Sequence, residues 1–280
     1  MKRLAPTLAL ALLAGCTTPT DSDSLELSID GLPDLDQGTY AAWLKDAAGA
    51  ATLVGDFTDG AGASLDAPGS LDAYNELIVT IEQDVVPTDP SDATVLFGAI
   101  EGGVADLAFA FDASAYAGRA TQWTPTDGVD DNHHQGVWFM VLEADAGVPA
   151  LELPEVPAGW LLEGWVTTQG VRMSTGQFSA AAGNDSACTY CGAGDLPGVP
   201  GEDFVDNLPT AITDPIDLGA GDTSVVVSLS PDVFDFDTTG EGIFDLSLLE
   251  LDVAANQAVG EGMDLTPTDH SISGSLNGGL

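Results

Sequence analysis

Leu25-Glu26-Leu27-Ser28-Ile29-Asp30 alternates apolar and polar residues without a break. An apolar side chain at every second position loads one face of an extended chain, which is the pattern of a half-buried strand. The same alternation returns at Leu77, Val79 and Ile81, at Leu107, Phe109 and Phe111, at Val225, Val227 and Leu229, and at Phe244, Leu246 and Leu248. Gly, Pro and Asp bound these segments and supply the turns between them. Residues 40–53 alone look helical, because of their alanines, yet Gly49 interrupts them and no 3.6-residue period develops. The expected class is all-β: two antiparallel β-sandwiches of immunoglobulin-like type in tandem.

A tandem arrangement is expected because the chain repeats itself. Leu25-Glu26-Leu27 and Leu32-Pro33 lead to Tyr40-Ala41-Ala42-Trp43, then to Val54-Gly55-Asp56-Phe57. Later, Leu151-Glu152-Leu153-Pro154 leads to Gly164-Trp165-Val166, then to Gly176-Gln177-Phe178. Each copy continues to a β-branched strand, Val79-Thr80-Ile81-Glu82 or Val227-Ser228-Leu229-Ser230. An internal duplication accounts for this, with an insertion in the second copy. The division follows: a first sandwich over residues 25–148, a second over 149–259 and a flexible tail over 260–280, rich in Gly, Ser and Thr. In this reading Trp43, Phe57, Trp165 and Phe178 anchor the sheet-on-sheet cores, and Gly55 and Gly176 mark close approaches or bulges.

The first residues read as an address. Met1-Lys2-Arg3 precedes a short apolar run that ends on Leu13-Ala14-Gly15-Cys16. A basic start, a brief apolar core and a small-residue cut site define a secretory signal rather than a membrane span. The four closing residues resemble the lipobox of bacterial lipoproteins, which implies removal of residues 1–15 and lipidation of Cys16. Residues 16–24 then form a polar tether. The expected location is a cell membrane, with the folded part facing periplasm or cell exterior. Thr17 after the lipidated Cys resembles the outer-membrane pattern of a diderm host.

The 280 residues carry 45 carboxylates against five Lys and Arg, a formal charge of −40. Loss of the signal would leave Lys45, Arg119 and Arg172 as the only cations. Such a chain has no basic patch for phosphates, which excludes nucleic acid as a partner. It also opposes contact with an anionic membrane surface beyond the lipid itself. Self-repulsion on this scale calls for salt or divalent cations to screen it.

Tyr40-x-x-Trp43-Leu44, Gly49, Val54-Gly55-x-Phe57 and Asp59-Gly60 resemble the extracytoplasmic C-terminal domain of the anti-sigma-K factor family. So do residues 77–82, the Pro87-Thr88-x-Pro90 turn and the strand at 93–98. The second copy retains Trp165-Val166 and Ser174-Thr175-Gly176-x-Phe178. The resemblance implies a β-sandwich displayed outside the membrane. It carries no catalytic signature and leaves the ligand open. The family joins this domain through a membrane helix to a cytoplasmic sigma-binding domain, and nothing in these 280 residues matches either part.

Candidate chemistry is sparse. Cys188-Thr189-Tyr190-Cys191 sits among glycines, where a local disulfide in an oxidising compartment is favoured. A redox-active pair belongs at a strand-to-helix turn, and a zinc site would need two further ligands nearby. Asp235, Asp237, Thr239 and Glu241 resemble the opening of a calcium loop, but Leu246 stands where a bidentate Glu is required, so a plain acidic hairpin is favoured. Asp203 and Asp206 are weaker acidic candidates, and the Asp130–His134 stretch reads as a solvated loop. There is no Gly-x-Ser-x-Gly elbow, and no carboxylate pair is marked out for glycoside cleavage. The expectation is therefore no enzyme and no cofactor, calcium being the one ion considered. The leading reading is an envelope sensing or interaction module with a protein partner; the alternative is a surface lipoprotein stabilised by calcium or salt.

Overall fold

The computed structural model describes residues 24–66, 70–83, 87–129, 134–144, 146–213, 215–233, 244 and 246–278. Cys16 and the Asp235, Asp237, Thr239 and Glu241 loop lie outside the described residues. Among the described residues the chain is all-β, with two single-turn 3-10 segments at Leu71–Ala73 and Ala113–Ala115. The early strands are β1 (Ser24–Asp30), β2 (Thr39–Asp46), β3 (Ala51–Phe57), β4 (Gly62–Asp66), β5 (Tyr74–Glu82), β6 (Thr94–Ala99) and β7 (Val104–Phe109). There follow β8 (Ala117–Gln122), β9 (Gly136–Trp138), β10 (Met140–Glu143), β11 (Ala146–Pro149), β12 (Leu151–Glu152), β13 (Trp160–Thr168) and β14 (Val171–Phe178). The last five are β15 (Gly201–Asp203), β16 (Ser224–Pro231), β17 (Leu246–Asp252), β18 (Gly262–Pro267) and β19 (Ser273–Gly278). Residues 40–53, helical in appearance, form β2 and β3, because long-range pairing with β5 outweighs the weak preference of alanine for helix.

The strands pair antiparallel into two large sheets. The first runs β3-β2-β5-β6-β7-β19-β1-β4 and the second β14-β13-β16-β17-β18-β8-β9-β15, with β12 beside β8 and β10–β11 as a separate hairpin. In the first sheet, β3 and β4 lie at opposite edges, yet residues 58–61 alone connect them. At about 4.8 Å per strand a flat sheet would hold those edges ~34 Å apart. Four residues reach only ~14 Å. The sheet must curl until its edges meet, giving a barrel-like sandwich.

Position by position the two sheets have the same order, β2 matching β13, β3 matching β14 and β5 matching β16. Their irregularities match as well. The β2–β3 register slips between Ala42 and Trp43, and the β13–β14 register between Gly164 and Trp165. A second slip lies at Val79/Thr80 in one sheet and at Val227/Ser228 in the other. The strand between β7 and β1, however, is β19, from the far end of the chain. The corresponding place between β18 and β9 is filled by β8, which follows β7 in sequence. Each half therefore gives its eighth strand to the other half.

Two expectations need correction here. The boundary at 148/149 fails, since β8 and β9 belong to the second sheet although they precede it. Residues 260–278 of the expected tail are not loose: β18 pairs with β17 and β8, β19 pairs with β1 and β7, and Leu276 is fully buried. Small residues in this stretch fit between neighbouring strands; a Cβ on Gly274 would already touch Leu107 at 3.2 Å.

One contiguous apolar cluster fills both barrels. Leu27, Tyr40, Leu44, Val79, Leu107 and Leu276 supply the first part, and Leu162, Val166, Phe178, Val227, Leu248 and Leu265 the second. Trp160 joins them: its ring meets Phe111 at 5.0 Å and Phe244 at 5.4 Å, and its Nε1 donates to Thr94 O at 3.1 Å.

Candidate functional site

Trp43 and Trp165, expected inside the sheet-on-sheet core, lie on the opposite sheet face. Alternation along β2 points Tyr40, Ala42 and Leu44 inward, and Ala41 and Trp43 outward into a small separate cluster with Ile78. Trp43 Nε1 donates to Thr80 Oγ1 and Trp165 Nε1 to Ser228 Oγ, each at 2.9 Å. The Arg172 guanidinium covers the Trp165 ring at 4.2 Å. Phe57 and Phe178 do enter the main core, Phe57 against Tyr40 at 5.4 Å and Phe178 against Phe139 at 5.8 Å. Tyr40 donates its hydroxyl to Pro33 O at 2.7 Å, and desolvation, with Asp34 nearby, pushes its ionisation well up. These motif residues are structural.

The two copies differ at the seam where each sheet closes on itself. In the first barrel the seam is apolar, and a Cβ on Gly55 would strike Leu65 Cδ2 at 2.6 Å. In the second, Gly176 takes φ +118° and a Cβ there would lie 2.7 Å from the Asp185 carboxyl carbon. The inserted segment 179–200 thus enters the seam as a carboxyl group, where the first copy has a leucine.

Asp185, half-buried, joins two fully buried acids at this end of the second barrel. Its Oδ2 accepts from Gly201 N at 2.8 Å. Asp203, fully buried, accepts from Thr126 N at 2.7 Å, Thr126 Oγ1 at 2.6 Å and Trp138 Nε1 at 2.8 Å. Glu202, also fully buried, accepts from Tyr190 N at 3.3 Å and Asp203 N at 3.1 Å. Burial raises all three above the ordinary carboxyl range. Asp185 reaches about 7, with the N–H of Gly201 acting in the opposite sense. Glu202 reaches about 8, and the charges of Asp185 and Asp203 add to the effect of burial. Asp203 moves in the same direction, restrained by its Thr126 and Trp138 donors.

Cys188 and Cys191 are joined by a disulfide against this cluster. Cys188 is exposed and Cys191 half-buried, and Glu202 Oε1 lies 2.6 Å from Cys191 Sγ. The loop is bound to the barrel at Gly192, whose N–H donates to Thr126 Oγ1 at 2.8 Å. With the sulfurs bonded to each other they are not thiolates, so the group as it stands offers no soft metal site. Asp206 is exposed and accepts from Asn207 N at 2.9 Å, outside the cluster. His134, the described member of the solvated loop, lies 3.3 Å from Gln122 Oε1 and 3.9 Å from Asp217. His270 contacts Ser247 O between β18 and β19.

Sequence reasoning passed over Asp185 and Glu202. Their signal was proximity, since both lie within eleven residues of the Cys pair, but 45 acids hid it. No helix among the described residues is long and apolar enough to cross a membrane. No family model matches the chain, and searches of curated proteins and of solved structures returned no match.

Proposed function

We propose that the chain is a lipid-anchored extracytoplasmic interaction module, related to the outer domain of anti-sigma-K factors and held to the membrane at Cys16. The observation that carries the interaction reading is a pair of open, acid-lined grooves that meet at Asp264. One runs over β16–β18 along Ser224, Val226, Glu250, Asp252 and Thr266; the other runs past Arg119, Glu143 and Glu152. Both are open and mix carboxylates with apolar side chains, Val226 and Leu251 in the first and Val141, Val148 and Leu151 in the second, a form suited to an amphipathic, cationic segment of a partner protein laid across the strands. The Tyr40, Trp43, Gly55 and Phe57 set lies on the adjacent strands β2 and β3, which is compatible with the family reading.

The test is photo-crosslinking in intact cells from positions 143 and 250. One envelope protein recovered in stoichiometric amount is the expected result; no enrichment over an unrelated lipoprotein overturns it. Labelling with an alkyne fatty acid, lost in Cys16→Ser, checks the anchor. The excess of carboxylates favours a second reading, a surface lipoprotein stabilised by cations. Thermal stabilisation by calcium well beyond that by sodium at equal ionic strength would single it out.

A further inference from the structure

The two sulfurs of the Cys188–Cys191 bond are unequal in a way that chemistry can use. Cys188 faces solvent, while Cys191 lies against a fully buried acid, Glu202, at 2.6 Å. The Glu202 carboxyl is thus set directly against the sulfur that would leave, and its burial raises it above the ordinary carboxyl range, so that it carries a proton at neutral pH. The surroundings keep it there. Asp185 faces Glu202 from the inserted loop and Asp203 from its own strand; Tyr190 packs from the loop with its N–H on Oε2. No cation among the described residues is paired with it.

We propose that Cys188–Cys191 is a thiol–disulfide exchange site, with an external thiol as substrate, Cys188 as the sulfur attacked and Glu202 as proton donor to Cys191. This goes beyond the interaction reading and does not depend on it. An incoming thiolate attacks Cys188 Sγ, a new S–S bond forms and the Cys188–Cys191 bond breaks. The electron pair goes to Cys191 Sγ, which takes the proton of Glu202. The products are a mixed disulfide at Cys188, a Cys191 thiol and a Glu202 carboxylate. A second thiolate attacks the external sulfur of the mixed disulfide, releases the substrate as its disulfide and leaves Cys188 to take a proton from solvent. Two thiols are oxidised, the protein disulfide is reduced, and Glu202 is reprotonated from water. In reverse, Glu202 removes the Cys191 proton and the resulting thiolate displaces the substrate sulfur. Proton delivery matters because a leaving thiol departs faster as its thiolate is neutralised.

The experiment treats the full-length native chain with glutathione, traps with acid and maps each cysteine by differential alkylation and mass. The expected adduct is on Cys188, formed without denaturant. The rate per glutathione thiolate should fall as pH passes about 8, where Glu202 loses its proton. In Glu202→Gln, which keeps a donor near Cys191 but cannot transfer a proton, the rate at pH 7 should drop at least ~10-fold and lose that pH dependence. Should the variant fail to fold, the wild-type pH profile decides alone. An adduct on Cys191, reaction only after unfolding, or a per-thiolate rate flat across pH 8 overturns the proposal.

Discussion

Gly176 and Asp185 meet across the seam of the second barrel so closely that a methyl group on Gly176 would lie 2.7 Å from the Asp185 carboxyl carbon. At the corresponding seam of the first barrel, Gly55 faces the flexible end of Leu65. The same backbone solution serves an apolar contact in one copy and a half-buried acid in the other.

Gly176→Ala should therefore destabilise the protein more than Gly55→Ala. It adds a side chain at φ +118° and displaces Asp185 from the Gly201 N–H. The expected loss is about 2–3 kcal/mol, combining backbone strain with a broken hydrogen bond to a half-buried acid. Urea unfolding of the two variants side by side checks the order.

Stability should fall as pH rises, the reverse of the behaviour of a chain held by salt-bridged carboxylates. Asp185 and Glu202 titrate at about 7 and about 8 in the folded state, above their unfolded values. The folded state therefore binds more protons through the intervening window. The contribution is complete below the unfolded carboxyl pKa and is lost as pH climbs through 7 to 8. Thermal melts from pH 4.5 to 8.5 at fixed ionic strength should show the decline, and Glu202→Gln should flatten its upper part.

Leu276→Ala, four residues from the end of the sequence, should behave as a core mutation of the first barrel. Leu276 is fully buried, and β19 is held between β7 and β1. The expected cost is about 2–5 kcal/mol. Amide exchange should show protection lost first in β1 and β7, although both lie over 160 residues away in sequence.

Added salt should raise the melting temperature at neutral pH. The net charge is −40, and the described Lys and Arg salt bridges, Lys45–Glu76 at 2.9 Å and Arg119–Asp264 at 2.6 Å, are both solvent-accessible. Exposed pairs of this kind contribute little. Screening of the remaining repulsion should dominate, since the Debye length shrinks from about 30 Å at 0.01 M to about 3 Å at 1 M. A melting temperature unchanged over that range would show that the charges are too well spaced to matter.

Much of the local structure was readable from the residues. Alternation at Leu25, Leu27 and Ile29 and at Val225, Val227 and Leu229 marked strands and their inward faces. The inward set of β2 also held the clue to Trp43, because counting by twos from Tyr40 and Leu44 puts Trp43 on the other face. Its bulk suggested a core position and masked that parity. Asp185 and Glu202 were harder to find, since in so acidic a chain a carboxylate that folding will enclose looks like any other.

Period-two alternation with turn residues between is a local property, and the sequence by itself determined from it the all-β class and the repeated strand units. Which strands become neighbours is not local. A strand offers its hydrogen bonds to any edge that matches its register, and β8 and β19, poor in apolar residues, carry no alternation that would say which barrel each completes. Only the tertiary structure decided that each half lends its last strand to the other. It decided, too, that a loop of the second half would bring Asp185, Glu202 and a disulfide into one seam.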